Sequence, residues 1–316
     1  MCAAAQNPFI FSDNNKRYHT LRYHLGGRFS HRVFKASLDG GFTCPNLDGT
    51  KGTGGCAYCL FGGSEFTSGA LDVALQIRRE LDRVRAKFAG AEVIAYFQAH
   101  TNTYAPVERL KTVYDTALCQ QGVCGLSVAT RCDALPENVL DYLAELATKT
   151  YLTVELGLQT VHDRTARLVC RGHTFAEFLT AYYALQLRGV RVCVHLINGL
   201  PGETFEDMTE TARVVGGLRP DGVKLHLLHI LRGTTLADWY ARGEVTPMTR
   251  QEYIRTVCAQ LALLPPQTVI ERLTGDGARD TLIAPLWSLD KVATLGGIDK
   301  MLAEHNLWQG KNYTPG

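Results

Sequence analysis

Sixteen residues, Cys44-Pro-Asn-Leu-Asp-Gly-Thr-Lys-Gly-Thr-Gly-Gly-Cys56-Ala-Tyr-Cys59, gather three thiols, four glycines and one aromatic. Two cysteines with two residues between them can turn both sulfurs toward one metal centre. A third, returning over a glycine-rich loop, completes a three-point grip. Structural zinc takes four protein ligands, whereas a catalytic metal keeps a position open, and an iron–sulfur cubane held by three thiolates leaves one iron free. Two other readings fit the same residues. Gly52-Thr-Gly54-Gly55-Cys56-Ala57 satisfies the dinucleotide fingerprint, although a helix would then have to open on two cluster-spaced cysteines. A zinc site could also recruit Cys119, Cys124 or Cys132 as its fourth ligand.

The elements that must position this loop alternate. Strand-like runs are expected at Val33 to Leu38, Val93 to Phe97, Gly125 to Thr130, Tyr151 to Leu158, Val190 to Ile197 and Val223 to Leu228. Helical periodicity covers Leu71 to Phe88, a segment from about Pro106, Pro136 to Lys149, Thr174 to Arg188 and Thr204 to Val215. Such alternation predicts an α/β fold with a parallel sheet built from right-handed crossover units. Residues 1–32 form a basic, aromatic N-terminal extension, 33–260 the core, and 261–316 a C-terminal extension packed on it, with one strand-like run at Thr268 to Leu273 and a helix near Asp290 to Glu304. Chemistry in such folds gathers where strands run out into the following loops. There the fourth strand places Thr153, Glu155, Gly157 and Gln159 on one face, and a carboxylate inside an apolar strand demands a cationic partner, with Arg131 and Arg171 as candidates inside the protein.

The net charge of +2 is too small to argue for a nucleic-acid partner, but its distribution is uneven. From Asn14 to Leu38 there are six cations, Lys16, Arg17, Arg22, Arg28, Arg32 and Lys35, and no acid; Tyr18, Tyr23, Phe29 and Phe34 lie between them. Cations that neutralise phosphates beside aromatics that stack on unpaired bases suit single-stranded RNA. A solvated basic face whose aromatics belong to the core is the other reading. The N-terminus carries neither the basic nor the apolar region of a secretory signal, so the ten cysteines are expected in a reducing cytoplasm. No apolar run is long enough to predict a membrane span.

The order Cys56-x-aromatic-Cys59 behind a distant Cys44 resembles the cluster loop of radical S-adenosylmethionine (radical SAM) enzymes. Eleven residues separate Cys44 from Cys56, where the superfamily usually has three, and CPN-x-DGT-x-G-x-GGC-x-x-C resembles the narrower YtqA/YhcC-like family. The resemblance extends from Tyr18-His-Thr-Leu-Arg22-Tyr to Gly275-Asp276-Gly277 and Ala284-Pro-Leu-Trp287. It implies an incomplete (β/α)6 parallel barrel, a [4Fe-4S] cluster on Cys44, Cys56 and Cys59, and SAM on the free iron with Tyr58 against the adenine. It further implies that Gln98 and Asn102, within Tyr96-Phe-Gln-Ala-His-Thr-Asn-Thr-Tyr-Ala-Pro106, accept hydrogen bonds from the SAM amino group. The resemblance also implies that Arg131, Glu155 and Gln159 line the SAM site and that Asn198 and Gly199, in a stretch that resembles the fifth-strand motif, support the adenosyl moiety. Cys132 and Ala134 depart from the family's Arg-Pro-Asp-Cys order, and no ligand role is assigned to them. At the sixth strand, His226 and His229 cannot share a face of a regular strand, which argues against a metal pair. One of them, or Lys224, is a candidate to face substrate, while His195 reads as a core residue.

For some members the resemblance implies work on the wobble uridine of tRNA, converting a carboxymethylaminomethyl side chain to aminomethyl. Lys16, Arg17, Arg22 and Arg28 would then grip the anticodon loop, and a flavodoxin or ferredoxin would donate electrons. Radical chemistry on a small molecule or peptide is a second hypothesis. A zinc-stabilised RNA-binding protein without chemistry is a third.

Overall fold

The computed structural model describes residues 7–60, 72–275, 277 and 279–315; Leu71, Asp276 and the first six residues, which enter the sequence reading, lie outside them. The chain runs α1 (Leu21–Gly26), β1 (Val33–Leu38), α2 (Val73–Arg85), β2 (Glu92–Phe97), α3 (Val107–Leu118), β3 (Val123–Thr130), α4 (Glu137–Lys149), β4 (Tyr151–Gln159), α5 (Asp163–Leu168) and α6 (Phe175–Leu187). It continues through β5 (Arg191–Asn198), α7 (Phe205–Leu218), β6 (Gly222–Leu227), β7 (Ile230–Leu231), α8 (Thr235–Ala241), α9 (Arg250–Leu263), β8 (Val269–Arg272), β9 (Leu282–Ala284) and α10 (Lys291–Glu304). No helix among the described residues is long and apolar enough to cross a membrane.

Seven strands form one sheet in the order β1-β2-β3-β4-β5-β6-β8, and β7 pairs with β9 separately. β1 to β4 run parallel, with Val33 opposite Glu92 and Gly125 opposite Tyr151. The spacing predicts six strands. The seventh, β8, lies within the strand-like run expected at Thr268 to Leu273 and pairs parallel with β6, so part of the segment expected to be an extension joins the sheet.

Two compact units divide the chain, one comprising Leu25–Leu158 with Arg171–Cys193, the other Met1–His24, Gln159–Cys170 and Val194–Gly316. In the first, α2 is started by Asp72, whose side chain accepts from Leu75 N, and buries Ile77, Leu81 and Val84. Phe97, Tyr114 and Tyr142 form a buried aromatic row with centroids 5.1 and 6.3 Å apart, and the Tyr114 hydroxyl donates to the carbonyl of Asn102. The core thus fixes the loop that follows β2. In the second unit, Tyr253 of α9 donates to Leu273 O at 2.8 Å, and Thr20 bridges to Ile270 of β8.

Candidate cluster and cofactor site

The cysteine loop leaves β1 at a clamped point, for Gln76 of α2 both donates to Asp39 O and accepts from Asp39 N, each at 2.9 Å. Within the loop Leu47 N donates to Cys44 O, Lys51 N to Pro45 O and Gly55 N to Asn46 O, so backbone bonds wind it into consecutive turns. Gly55 has φ +69°, and a Cβ there would stand 2.9 Å from Leu47 Cδ2, which explains a glycine immediately before Cys56. Cys59 N closes a turn on Cys56 O at 2.9 Å. Cys56 is buried, Cys44 half-buried and Cys59 exposed.

Cys56 is the electrostatic centre of this loop. Its sulfur accepts from Asn46 Nδ2 at 3.5 Å and from Arg171 Nη1 at 3.7 Å. A hydrogen bond from Cys59, together with the Arg171 charge, holds the Cys56 thiol well below its ordinary pKa despite burial. Arg171, 7% exposed, also donates through Nη2 to Gly157 O at 2.8 Å. Its own carbonyl accepts from Arg131 Nη1 at 2.8 Å, and Arg131 is gripped by both oxygens of Asp133 at 2.8 Å each. That fork keeps the Asp133 carboxyl below its usual range even though burial pushes the other way. Arg131, expected to touch SAM, therefore spends three of its five N–H groups inside the protein. Arg171 is the site residue that sequence reasoning misses, since spacing offers it only as an ion-pair partner for Glu155; the fold alone places it at a cluster sulfur.

The partner of Glu155 is instead Lys35 of β1. The Glu155 carboxylate, fully buried, also accepts from Ser127 Oγ at 2.6 Å, and Lys35 Nζ lies 5.1 Å from the centroid of the Tyr96 ring. Asn102 is different. Its Nδ2 donates to Phe97 O at 3.1 Å and to Ala129 O at 2.9 Å, which fixes the amide orientation because both partners are acceptors. The buried Oδ1 is left without a partner. Gln98 accepts from Ser37 Oγ at 3.4 Å.

In the second unit Asn198 is locked in a reciprocal amide pair with Gln260, 2.8 Å in each direction. Both polar atoms of its side chain are thus engaged within the protein. Gly199, at φ +87°, is packed against Met248, whose Cγ and Sδ would lie 3.1 Å from an added Cβ. Gln159 also sits at positive φ, 78°. The His195 and His226 rings are 5.3 Å apart. Strand alternation keeps His226 and His229 apart, yet β6 ends at Leu227 and frees His229 from that alternation. A Cβ on Gly275 would lie 3.1 Å from His229 Cε1 and 3.7 Å from His226 Nδ1. Burial, with help from Lys291, drops the His229 pKa to about 4.

The cations of the basic segment differ in exposure. Arg17 is 5% exposed and donates to Asn306 at 3.0 Å, and Lys16 pairs with Asp299, so neither stands free for phosphate. Arg22 and Arg28 are exposed. Arg28 lies over the ring of Tyr151 at 5.1 Å, Arg191 over the same ring at 5.4 Å, and Arg32 over Phe88 at 4.3 Å. Tyr151 opens β4 and Arg191 opens β5, whereas the cysteine loop leaves the far end of β1. A six-residue strand spans about 20 Å, so these arginines occupy the opposite end of the strands from Cys56. Of the alternative zinc ligands, Cys119 is exposed, and burial pushes the Cys124 and Cys132 thiols up to about 12, away from the thiolate a metal needs.

A comparison with protein families decides what this site belongs to: residues 49–215 match the Radical SAM superfamily and residues 220–304 the Radical_SAM C-terminal domain. The chain belongs to the radical SAM superfamily. Uncharacterized protein YtqA of Bacillus subtilis is 47% identical over 96% of this chain and 95% of its own length, which places the chain in the YtqA/YhcC-like branch. A tRNA uridine(34) acetyltransferase of Dehalococcoides mccartyi is 31% identical over 54% of this chain, a match that spans only 37% of that protein. The solved structure of Methanocaldococcus infernus Elp3 shares the fold, an incomplete parallel β/α barrel, at TM-score 0.66 and 18% identity, covering 88% of this chain and 64% of that one.

Radical SAM proteins use a [4Fe-4S] cluster and SAM, and these are the cofactors of this chain. Its residues fit them. Among the described residues no three His, Cys, Asp or Glu side chains converge as tightly as one ion requires, but a cubane offers a separate iron to each thiolate and accepts wider spacing. Cys44, Cys56 and Cys59 would hold the cluster, whose negative charge the buried Arg171 and Arg131 offset. The unpartnered Asn102 Oδ1 is an acceptor suited to the SAM ammonium.

Proposed function

We propose that this radical SAM enzyme modifies tRNA, converting the carboxymethylaminomethyl side chain of the wobble uridine to aminomethyl. The observation that carries the substrate class is the shared stretch with a protein named for its action on tRNA uridine 34. When bound, the cluster and SAM supply a 5′-deoxyadenosyl radical able to take a hydrogen atom from an unactivated carbon. The carbon between the amine and carboxylate of the carboxymethylaminomethyl group is within reach of such a radical: hydrogen abstraction there and loss of one further electron to the redox partner give an imine, whose hydrolysis by water releases glyoxylate and leaves the aminomethyl group.

The chain's residues orient and exclude. Cys44, Cys56 and Cys59 fix the cluster on a loop braced by Asn46 and Arg171. Asn102 receives the SAM ammonium, and Tyr58 offers its ring to the adenine. His226 or His229, or Lys224, is the candidate of the second unit to face substrate. A flavodoxin or ferredoxin serves as electron donor.

The test is the modified-nucleoside profile of tRNA from cells lacking the gene. Accumulation of the carboxymethylaminomethyl form at the wobble position, and its conversion by purified enzyme with SAM and a reductant, is the expected result. An unchanged profile in cells that contain the substrate nucleoside would transfer the same chemistry to a small molecule or peptide.

A further inference from the structure

Two N–H donors converge on one of the three cysteine sulfurs. Cys56 Sγ receives Asn46 Nδ2 at 3.5 Å and Arg171 Nη1 at 3.7 Å, whereas among the described residues neither Cys44 nor Cys59 receives a side-chain N–H at its sulfur. One donor is a neutral amide; the other is a guanidinium that cannot deprotonate in a protein, so its charge at the sulfur is fixed at any working pH.

The structure goes to some length to hold that charge in place. Arg171 is anchored by Nη2 on Gly157 O, and its backbone carbonyl is anchored by Arg131 Nη1, both at 2.8 Å. Arg131 is in turn immobilised by two bonds to Asp133. The next residue, Gly172, has φ +79°, and a Cβ would come within 3.1 Å of Asn46 Oδ1 and 3.3 Å of Arg131 Nη2. A side chain there would press on Asn46, one of the donors to Cys56, and on Arg131, which anchors Arg171. Asp133, Arg131, Gly172 and Asn46 thus form one scaffold around the Arg171–sulfur contact.

We propose that Arg171 is a positioning and tuning residue that raises the reduction potential of the cluster through the Cys56 thiolate. Reduction adds negative charge to the cluster and its sulfurs. A fixed cation and its N–H at one thiolate stabilise the reduced form more than the oxidised form. Asn46 supplies the same effect more weakly, because a neutral dipole interacts less with the added charge than a cation does. The inference rests on Cys44, Cys56 and Cys59 holding the cluster, and it adds a role in admitting the electron that the fold and the superfamily do not specify.

The experiment is a redox titration, followed by electron paramagnetic resonance, of full-length protein reconstituted anaerobically, with iron content measured on every sample. Arg171→Met should carry parental iron and a more negative midpoint potential. Arg171→Lys, which keeps a charge, should lie between that variant and the parent. Asn46→Ala should shift the midpoint in the same direction by less. A parental midpoint in Arg171→Met overturns the proposal. If that variant takes up no iron, a parental midpoint in Asn46→Ala overturns it equally. Failure of the cysteine assignment has a separate signature, since Cys56→Ala would then keep its iron.

Discussion

Two ends of the same parallel strands concentrate arginine, and they use it in opposite ways. At the C-terminal end Arg131 and Arg171 are buried and spoken for by named partners, so each guanidinium has one position. At the N-terminal end Arg28 and Arg32 are exposed and rest on aromatic faces that constrain them loosely. A desolvated cation acts at full strength on one atom, here a cysteine sulfur. A solvated one is screened beyond roughly 8 Å at physiological salt and acts on any polyanion that comes near. Residue type therefore says little about role until burial is known.

The largest effect that tests this contrast is loss of the cluster. Anaerobically prepared protein should hold about four irons and four sulfides per chain, and alanine at Cys44, Cys56 or Cys59 should abolish both, whereas alanine at Cys119 or Cys124 should leave iron unchanged. Iron retained in the first three and absent from the other two would relocate the site. Next in size is stability. Arg131→Gln leaves Asp133 buried without its partner and should cost about 3–5 kcal/mol in urea unfolding, while Arg28→Gln should change stability by no more than about 0.5 kcal/mol. Equal costs would erase the distinction between the two ends.

A smaller effect separates two acceptors expected to bind SAM. Asn102 Oδ1 is unpartnered and Glu155 is already occupied by Lys35 and Ser127. Asn102→Ala should therefore weaken SAM binding about tenfold or more, as loss of a charged hydrogen bond worth roughly 1.5–3 kcal/mol requires. Glu155→Gln should weaken it less. Calorimetric titration of the cluster-loaded protein ranks the two, and the reverse order would return Glu155 to the ammonium.

Much of this is legible in the residues. The thiol spacing marks the cluster loop, and the alternation of apolar runs marks β1 to β6, most clearly β2 to β6, where the greater part of each strand is buried. α9 escapes the periodicity, although Thr249 and Glu252 form a full capping box ahead of a run whose buried residues include Tyr253, Ile254, Val257 and Leu261. That start signal could have found it. β8 reads as a strand-like run but not as a member of the sheet, since four residues cannot announce their neighbour. The side-chain partners are not legible at all. Which cation meets Glu155, and that Asn198 meets Gln260 from 62 residues away, depend on packing that no local pattern encodes. The same holds for Arg17, whose place in a basic run gives no sign of its burial.

The smallest expected change concerns RNA, and it comes from the N-terminal end alone. Arg28, Arg32 and Arg191 lie about 20 Å along the strands from Cys56, too far to hold the nucleotide undergoing chemistry. Under the proposed function, any phosphates they meet belong to another part of the same tRNA. Replacing the three with Gln should leave iron content and fold intact while flattening the dependence of log affinity on log salt for whole tRNA, by about 0.9 for each duplex phosphate that is no longer neutralised. An isolated anticodon stem-loop, which lacks the distant part, should bind parent and variant with the same slope. Filter binding across a salt series measures both. Identical slopes for whole tRNA would make the patch an ordinary solvated face. A slope that falls for the stem-loop as much as for whole tRNA would mean the arginines reach the anticodon arm after all, and that the two ends of the strands serve one contact.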